Sequence, residues 1–255
     1  MIGAIFESGF PTRGLETLIF FIPSPSCFHL VLIMLITRYS AVKPPVLILN
    51  NSIAGGIESV DITEFLKTAY RKLNISYPKF FKMDDLCKLA FLSAEILLKD
   101  AAILTKYPSE EIGMILLNSS SSLQTDEKHQ ESINDRSNYF PSPSVFVYTL
   151  PNIMIGEIAI RNKIKGENCV FIGEKPDAHL IFTLTDELFS QNRVRCCISG
   201  WIDAYKGNLS SCLMLVENDE MVKSVSQAEE MIIFDPSNIE RIFKEVLQDG
   251  TNGKA

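Results

Sequence analysis

Six cysteines and three histidines are the residues best suited to catalysis or metal binding. The cysteines form no CxxC pair, and Cys196 and Cys197 are adjacent, which fits neither a disulfide framework nor a zinc site. His29, His129 and His179 lie far apart in the sequence, and no HExxH motif is present. The sequence therefore predicts free thiols in a reducing cytoplasm, no bound metal and no cofactor.

The motifs that bind nucleotides or activate a serine are absent from the sequence, which contains no GxGxxG, no GxxxxGKS/T and no GxSxG pattern. Four serines at 119–122 follow a predicted strand and could offer hydroxyls to an anion, although a solvated loop is the more common reason for such a cluster. Cys169 is a candidate nucleophile. It begins an apolar strand without a nearby histidine, however, which favours a buried structural thiol.

Composition places the chain among globular proteins. Of its 255 residues, 46% are hydrophobic and 22% are charged, and a disordered chain would have fewer of the former and more of the latter. The net charge of -7 disfavours nucleic acid as a partner, because phosphate binding needs a basic surface.

The most hydrophobic run of the chain covers residues 17–37. It is long enough for a membrane helix, but Pro23, Pro25 and His29 divide it into pieces too short to span a bilayer, which disfavours membrane association. A membrane-associated leader, a buried hairpin and an upstream extension of the true start remain as interpretations. We favour an extension or a loosely ordered leader covering residues 1–44, and we expect residues 1–40 to pack poorly against the core.

Strands and helices alternate from residue 45 onward. Apolar runs predict strands near 46–49, 112–118, 169–172, 194–201 and 211–217, with a loop at 55–56. Helical spacing and capping residues predict helices up to Tyr70 from a cap at Asp61 or Thr63, after 83–85, and over 123–133, 144–164, 177–191 and 239–249. Pro151 and Asn152 are expected at a kink or at a helix start inside the 144–164 segment, and Lys165-Gly166 is its expected stop. The pattern predicts an α/β fold with a mixed five-stranded sheet and helices on both faces.

One segment carries a resemblance to a known family. The run PSPSVFVYTLPNIMIGEIAIRNKIKGEN (141–168) resembles the segment that leads to the active-site cysteine of β-ketoacyl-acyl-carrier-protein synthases and crosses their dimer interface. The stretches at 82–101, 110–129 and 196–205 are similar to further parts of that family in the same order, so the resemblance covers about 46–218. The matching positions in the first segment are Leu150, Pro151, Asn152, Gly156, Glu157, Ile160, Arg161, Lys165, Gly166 and Asn168.

The resemblance implies half of a thiolase-like layered fold without its catalytic residues. In the family a nucleophilic cysteine begins the helix after the KG.N strand, where the helix dipole lowers the thiol pKa. No cysteine stands there in this sequence, and Lys175 is the nearest equivalent. The family's two catalytic histidines come from a carboxy-terminal half that does not follow residue 218 here. The expected domains are 45–218, similar to a ketosynthase amino-terminal domain, and 219–255, a terminal helix and tail.

These departures imply a non-catalytic partner similar to the short chain-length-factor-like proteins of bacterial aryl-polyene and flexirubin-type pigment clusters. The implied partners are a full-length ketosynthase and, as a further candidate, an acyl carrier protein. The interface is expected in the apolar 141–168 segment, part of which should be exposed in the isolated chain, with Tyr148, Asn152, Ile155 and Glu157 as contacts. The alternatives are an enzyme acting on acyl thioesters through Cys169 or a serine, and a relic domain that keeps only the fold.

Overall fold

A mixed sheet organises the part of the chain that the computed structural model describes, namely residues 33–50, 52–57, 61–137, 139–218 and 231–248. Eight strands are found in these residues, in the spatial order β3-β2-β1-β7-β6-β4-β5, with β8 pairing with β1. The strands are β1 (Met34–Lys43), β2 (Val46–Leu49), β3 (Ser52–Gly56), β4 (Ile112–Asn118), β5 (Asn168–Ile172), β6 (Cys196–Tyr205), β7 (Asn208–Asn218) and β8 (Ile232–Ile233).

Helices cover both faces of this sheet, as the sequence predicts. They are α1 (Ile62–Lys72), α2 (Asp85–Leu98), α3 (Ile103–Lys106), α4 (Leu123–Asn134), α5 (Pro143–Phe146), α6 (Ile153–Asn162), α7 (Ala178–Ser190) and α8 (Pro236–Phe243). Short 3-10 turns cover Pro78–Lys82, Ser109–Glu111 and Val147–Thr149, and α8 continues as a π-helix over Lys244–Gln248.

Strand β4 lies at the centre of the parallel part of the sheet. All seven of its residues are buried, and it pairs in parallel with β5 on one side and β6 on the other. Successive side chains of a strand point to opposite faces. Met114 and Leu116 accordingly join an apolar cluster with α1, α2 and α6, whereas Ile115 and Leu117 join a second cluster with α7 and α8. A continuous apolar run is what a strand covered on both faces requires.

Aspartates begin four of the helices. The side chains of Asp61, Asp84, Asp177 and Asp235 accept hydrogen bonds from backbone amides in the first turns of α1, α2, α7 and α8, at 2.8 to 2.9 Å. Each cap satisfies an amide that has no partner within its helix. These caps are the reason that the four helices begin where they do, and Asp235, which the sequence analysis does not single out, starts α8 three residues earlier than predicted.

The prediction that residues 1–40 pack poorly against the core is wrong for those that the structure describes. Strand β1 pairs with β7 in antiparallel register and also with β2, and Ile36 is almost completely buried. The polar residues between its apolar ones concealed this strand. Ser40, for example, is fully buried because its hydroxyl donates to the carbonyl of Ser93 at 2.8 Å. The sheet thus begins ahead of the predicted domain boundary at 45, while residues 1–32 lie outside the described residues.

Four further expectations about single elements are corrected by the structure. The sheet has eight strands rather than five, and the predicted glycine loop at 55–56 belongs to strand β3. Helix α6 ends at Asn162 with Lys163 in the left-handed conformation (φ 54°), so Lys165-Gly166 is not its stop. The terminal helix packs on the same sheet through Ile239 and Ile242, and residues 219–230 and 249–255 lie outside the described residues.

Among the described residues, no single helix is both long and apolar enough to cross a membrane. Two consecutive pieces, Pro143–Thr149 and Ile153–Asn162, reach that length and composition only when they are taken together, and they are bent by 97° relative to each other.

Candidate functional site

The loop after β5 holds the position at which the resemblance places a nucleophile. Gly173 donates its amide to the carbonyl of Asn118 at 2.9 Å, which fixes the start of the loop at the end of β4. Asp177 ends the loop as the cap of α7. Lys175 lies between them and is exposed. Lys175 thus lies in the loop two residues before the cap of α7, and its equivalence to the family's nucleophile stays a prediction.

A cavity of about 750 Å³ adjoins this loop. Its walls come from the start of α7, from Trp201 and Ser210 on the paired strands β6 and β7, and from α8 and its π-helical continuation. Pro176, Ala178, Trp201, Pro236, Phe243 and Leu247 form its apolar surface, and Lys175, Asp177, His179, Ser210, Ser237 and Glu240 form its polar surface. Helix α8 was predicted as an element, but nothing in its sequence indicated that it would enclose a cavity beside Lys175.

The polar groups of the cavity form no nucleophile–base pair. Its lining contains no thiol. The carboxylate of Asp177 is engaged in the helix cap, and Glu240 pairs with Lys244 at 3.3 Å. The lining also holds two serine hydroxyls and the imidazole of His179. Ser210 accepts a hydrogen bond from the indole of Trp201 at 3.2 Å, and none of the hydrogen bonds between described residues joins His179 to a serine as a nucleophile–base pair would require.

Cys169, the alternative nucleophile, lies on β5 outside this cavity. It is half-buried and packs against the apolar cluster on the α7 side of the sheet. None of the described cysteines is hydrogen-bonded to a histidine, and the five of them, Cys87, Cys169, Cys196, Cys197 and Cys212, are all free thiols. Cys27 lies outside the described residues.

Burial raises the pKa of four thiols, those of Cys87, Cys196, Cys197 and Cys212, and raises that of Cys197 to about 12. These thiols stay protonated in the folded chain, whereas in the unfolded chain they ionise near pH 8.5. The pKa values of these thiols are higher in the folded chain than in the unfolded chain. Burying them as neutral groups therefore costs no stability below about pH 8.5, and the folded state loses stability as the pH rises from there towards the folded pKa values.

We therefore expect the urea midpoint of unfolding to fall between pH 7.5 and pH 10, in a window set by the ordinary thiol pKa of about 8.5. Circular dichroism at the two pH values measures it. A Cys212→Ala variant is the control and should show a smaller fall, because it lacks one of the four thiols. A wild-type midpoint that is the same at both pH values would contradict the assignment.

The loop of four serines at 119–122, which follows β4, is hydrogen-bonded to the carboxylate of Asp203. Oδ1 of Asp203 accepts the backbone amides of Ser119 and Ser120 at 3.2 and 2.8 Å, and its Oδ2 accepts the hydroxyl of Ser120 at 3.2 Å. The side-chain oxygen of Asn118 accepts the amide of Ser121. The carboxylate of Asp203 therefore takes the place of the external anion that the four serines could have bound. These hydrogen bonds make the loop an ordered turn rather than a freely solvated one.

Three of the four predicted interface side chains are buried inside this chain. Tyr148, Ile155 and Glu157 are buried, and of the four only Asn152 is exposed. Oε1 of Glu157 accepts hydrogen bonds from Nζ of Lys79 at 2.8 Å and from the hydroxyl of Tyr148 at 3.3 Å. These side chains hold the 141–168 segment onto α2 and the 3-10 turn at Pro78–Lys82, so they support a surface rather than form it.

Other residues of the same segment form its outer surface. Phe146, Val147, Leu150 and Ile160 are 57%, 48%, 51% and 65% exposed. We call these four residues the apolar surface. No charged residue occurs between Arg136 and Glu157 in the sequence, so the segment that carries most of this surface is neutral as well as apolar. Phe146, Val147 and Leu150 lie within five residues of one another, and exposed apolar side chains grouped in this way indicate a candidate interaction site.

Gly156 lies on α6 next to the apolar surface. A Cβ built on this glycine meets no atom within 4 Å. Glycine in a helix interior costs about 1 kcal/mol relative to alanine. Within the part of the chain that the structure describes, no contact offsets this cost. The sequence analysis identified Gly156 only as a position that matches the family, and it gave no sign that the space beside its Cα is empty.

Comparisons with known proteins find similarity in structure and none in sequence. No protein-family model matches the chain, and no curated protein matches it. The ishigamide ketosynthase/chain length factor superposes with a TM-score of 0.59 at 19% identity, covering 75% of this chain and 63% of that chain. The chain has a ketosynthase-like fold.

Two further solved structures share the ketosynthase-like fold. A type II polyketide synthase acyl-carrier protein in complex with its ketosynthase bound to the hexaketide gives a TM-score of 0.57 at 12% identity, covering 76% of this chain and 64% of that chain. A beta-ketoacyl synthase from Burkholderia phymatum STM815 gives 0.51 at 11% identity, covering 76% and 60%. The chain thus spans less than two thirds of the length of these proteins. The fold that the 141–168 resemblance implies is confirmed.

Proposed function

We propose that this chain is a non-catalytic, chain-length-factor-like partner of a full-length ketosynthase in acyl chain elongation of the fatty-acid or polyketide type. The ketosynthase-like fold supports this proposal, since one protein that shares the fold is a ketosynthase/chain length factor and another is a ketosynthase in complex with an acyl-carrier protein. An acyl carrier protein is a further candidate partner. Because the five described cysteines are free thiols, as is typical of a reducing compartment, we place this function in the cytoplasm.

The observation that carries the proposal is the apolar surface. It lies on the segment that resembles the family's interface run, and three of its members, Val147, Leu150 and Ile160, are each about half exposed or more. Burying such side chains against a partner removes apolar area from water, which is the main driving force of association. Strand β5 begins at the end of the same segment, and no other described strand pairs with its outer edge.

The absence of catalysis is supported by the loop at Lys175. The cavity beside it contains no thiol, and its carboxylates Asp177 and Glu240 are engaged in a helix cap and an ion pair. The runner-up nucleophile Cys169 has no histidine partner. An enzyme acting on acyl thioesters would need such a pair, so we infer that any condensation chemistry belongs to the partner.

Co-purification tests the proposal. Ketosynthases of the source organism are co-expressed one at a time with this chain, and a stable complex is expected with one of them. The double variant Leu150→Asp and Ile160→Asp should weaken the complex about 30-fold or more, since loss of central apolar contacts costs about 2 kcal/mol or more. Affinity measured on the purified components provides the comparison.

The matched control is Ile53→Asp, because Ile53 is 70% exposed on β3 at the far end of the sheet. This variant should bind the ketosynthase as tightly as the wild type. Alkylating the thiols of this chain before mixing distinguishes a non-catalytic partner from an enzyme that acts through Cys169. The enzyme alternative predicts that the complex loses product formation after alkylation. If no ketosynthase binds the wild-type chain, the proposed function is wrong.

A further inference from the structure

We propose that the cavity between α7 and α8 binds an amphipathic organic anion, a carboxylic acid with an apolar tail, without forming a covalent bond to it. The tail lies against the buried wall of the cavity and the carboxylate lies at its mouth. This inference goes beyond the proposed function, since it gives the non-catalytic chain a ligand of its own and does not depend on a ketosynthase.

The inner wall of the cavity is apolar and largely shielded from solvent. Ala178, Trp201 and Phe243 line it and are only 4%, 4% and 3% exposed. The indole N–H of Trp201 donates to the hydroxyl of Ser210 at 3.2 Å, so it already has an acceptor, and the ring offers apolar surface to a ligand. Small-molecule sites are typically cavities of about 300 to 1,000 Å³ with apolar walls and a few polar groups. This cavity, of about 750 Å³, has that size and composition.

The mouth of the cavity is lined by hydrogen-bond donors. Lys175, His179 and Ser237 are exposed, and their side chains form no hydrogen bond or ion pair with any residue that the structure describes. An ammonium, an imidazole N–H and a hydroxyl can all donate to carboxylate oxygens, and hydrogen bonds to an ionised group are the stronger ones. The change from an apolar wall to donors at the mouth therefore matches an apolar tail that ends in an anionic group.

The acidic groups of the lining do not favour a cationic ligand. The carboxylate of Asp177 accepts the amide of Leu180 at 2.9 Å, and that of Glu240 pairs with Lys244 at 3.3 Å. Of the described residues that line the cavity, Lys175 is the only lysine or arginine, so a group with a single negative charge is complementary to it. No thiol belongs to this lining, and the ligand is therefore held by contacts alone.

The fluorescence of Trp201 tests the proposal, because it is the single tryptophan of the chain. Decanoate is titrated into the purified chain, and a saturable change in emission with a Kd of about 2 mM or lower is expected for a ligand of this size. Decylammonium has the same tail with the opposite charge and should bind at least about 5-fold more weakly. Acetate, which has the carboxylate without the tail, should leave the emission unchanged.

Two charge reversals locate the carboxylate. Lys175→Glu should weaken decanoate binding about 5-fold or more, because it replaces an attractive charge with a repulsive one. Lys82→Glu is the matched control and should bind like the wild type. It makes the same change in net charge at another exposed lysine, next to Phe80 and Met83, which pack on the other face of the sheet. Trp201→Phe should lose the emission signal and still bind decanoate by calorimetry.

The outcomes are distinct from those of the co-purification experiment. An emission change that does not saturate, or equal affinities for decanoate and decylammonium, overturns the proposed ligand. Equal decanoate affinity of Lys175→Glu and the wild type overturns the placement of the carboxylate at the mouth. Each of these results leaves the ketosynthase partnership standing, and a chain that binds decanoate as described but no ketosynthase supports the cavity and overturns the partnership.

Discussion

An Ile155→Asp variant should lose at least about 4 kcal/mol of stability, because it combines the loss of a buried apolar side chain with an unpaired charge in the core. Ile155 is 1% exposed and belongs to the apolar cluster between the sheet, α2 and α6. Since whole domains are stable by only about 5 to 15 kcal/mol, this loss is a large fraction of the total, and the urea midpoint of unfolding should fall accordingly. Urea denaturation followed by circular dichroism measures the loss.

The control lies five residues further along the same helix. Ile160 is exposed, so Ile160→Asp should change the free energy of unfolding by no more than about 0.5 kcal/mol. The two variants distinguish the buried side of α6 from its exposed side. Because Tyr148 and Ile155 are both buried, substitutions at them would test folding rather than binding. Similar urea midpoints for the two variants would contradict the orientation of α6 described above.

Gly166→Ala should destabilise the chain by about 3 kcal/mol, a cost typical of forcing extra atoms into a packed site. A Cβ at this residue would collide with the carbonyl oxygen of Ile112 and lie 2.7 Å from that of Glu110. Both are backbone atoms, and the amides of Lys165 and Gly166 are held by the carbonyl of Ser109 at 2.9 and 3.1 Å, so neither side can move easily. A fall of about 10 °C in Tm is expected for a chain of this size.

The same substitution at Gly156 should change Tm in the opposite direction. Its Cβ meets nothing within 4 Å, and alanine favours a helix over glycine by about 1 kcal/mol, so Tm should rise slightly. Scanning calorimetry of both variants checks the difference. If the Gly166→Ala variant is as stable as the wild type, the loop that enters β5 can shift, and the close packing of Gly166 against the backbone of Glu110 and Ile112 does not constrain this position.

Much of the fold could be predicted because its signals are local. Asp84 and Asp177 begin α2 and α7 through hydrogen bonds to amides three residues away, and a short stretch of sequence contains both partners. The apolar run of β4 likewise indicates a strand covered on both faces. Strand β1 was missed because Ser40 reads as polar and becomes buried only through Ser93 of α2, a residue distant in the sequence.

The candidate site was predictable only in part. The position of Lys175 in the loop between β5 and α7 follows from the order of motifs along the chain. The cavity beside it was not predictable, because its other walls come from Trp201 and from α8. Likewise, the role of Asp203 in closing the serine loop joins residues more than eighty positions apart. Such contacts depend on sheet order, which no local pattern contains.

The sequence by itself determined the α/β class, the positions of most helices and strands, and the segment that carries the apolar surface. Only the tertiary structure decided which side of that segment faces outward. Ile155 and Ile160 are identical side chains on one helix, and α6 turns the first towards the core. Arg161 then fixes this orientation through two 3.0 Å hydrogen bonds to Glu95 of α2. Burial depends on the neighbour against which a helix packs, and α2 lies more than fifty residues earlier in the chain.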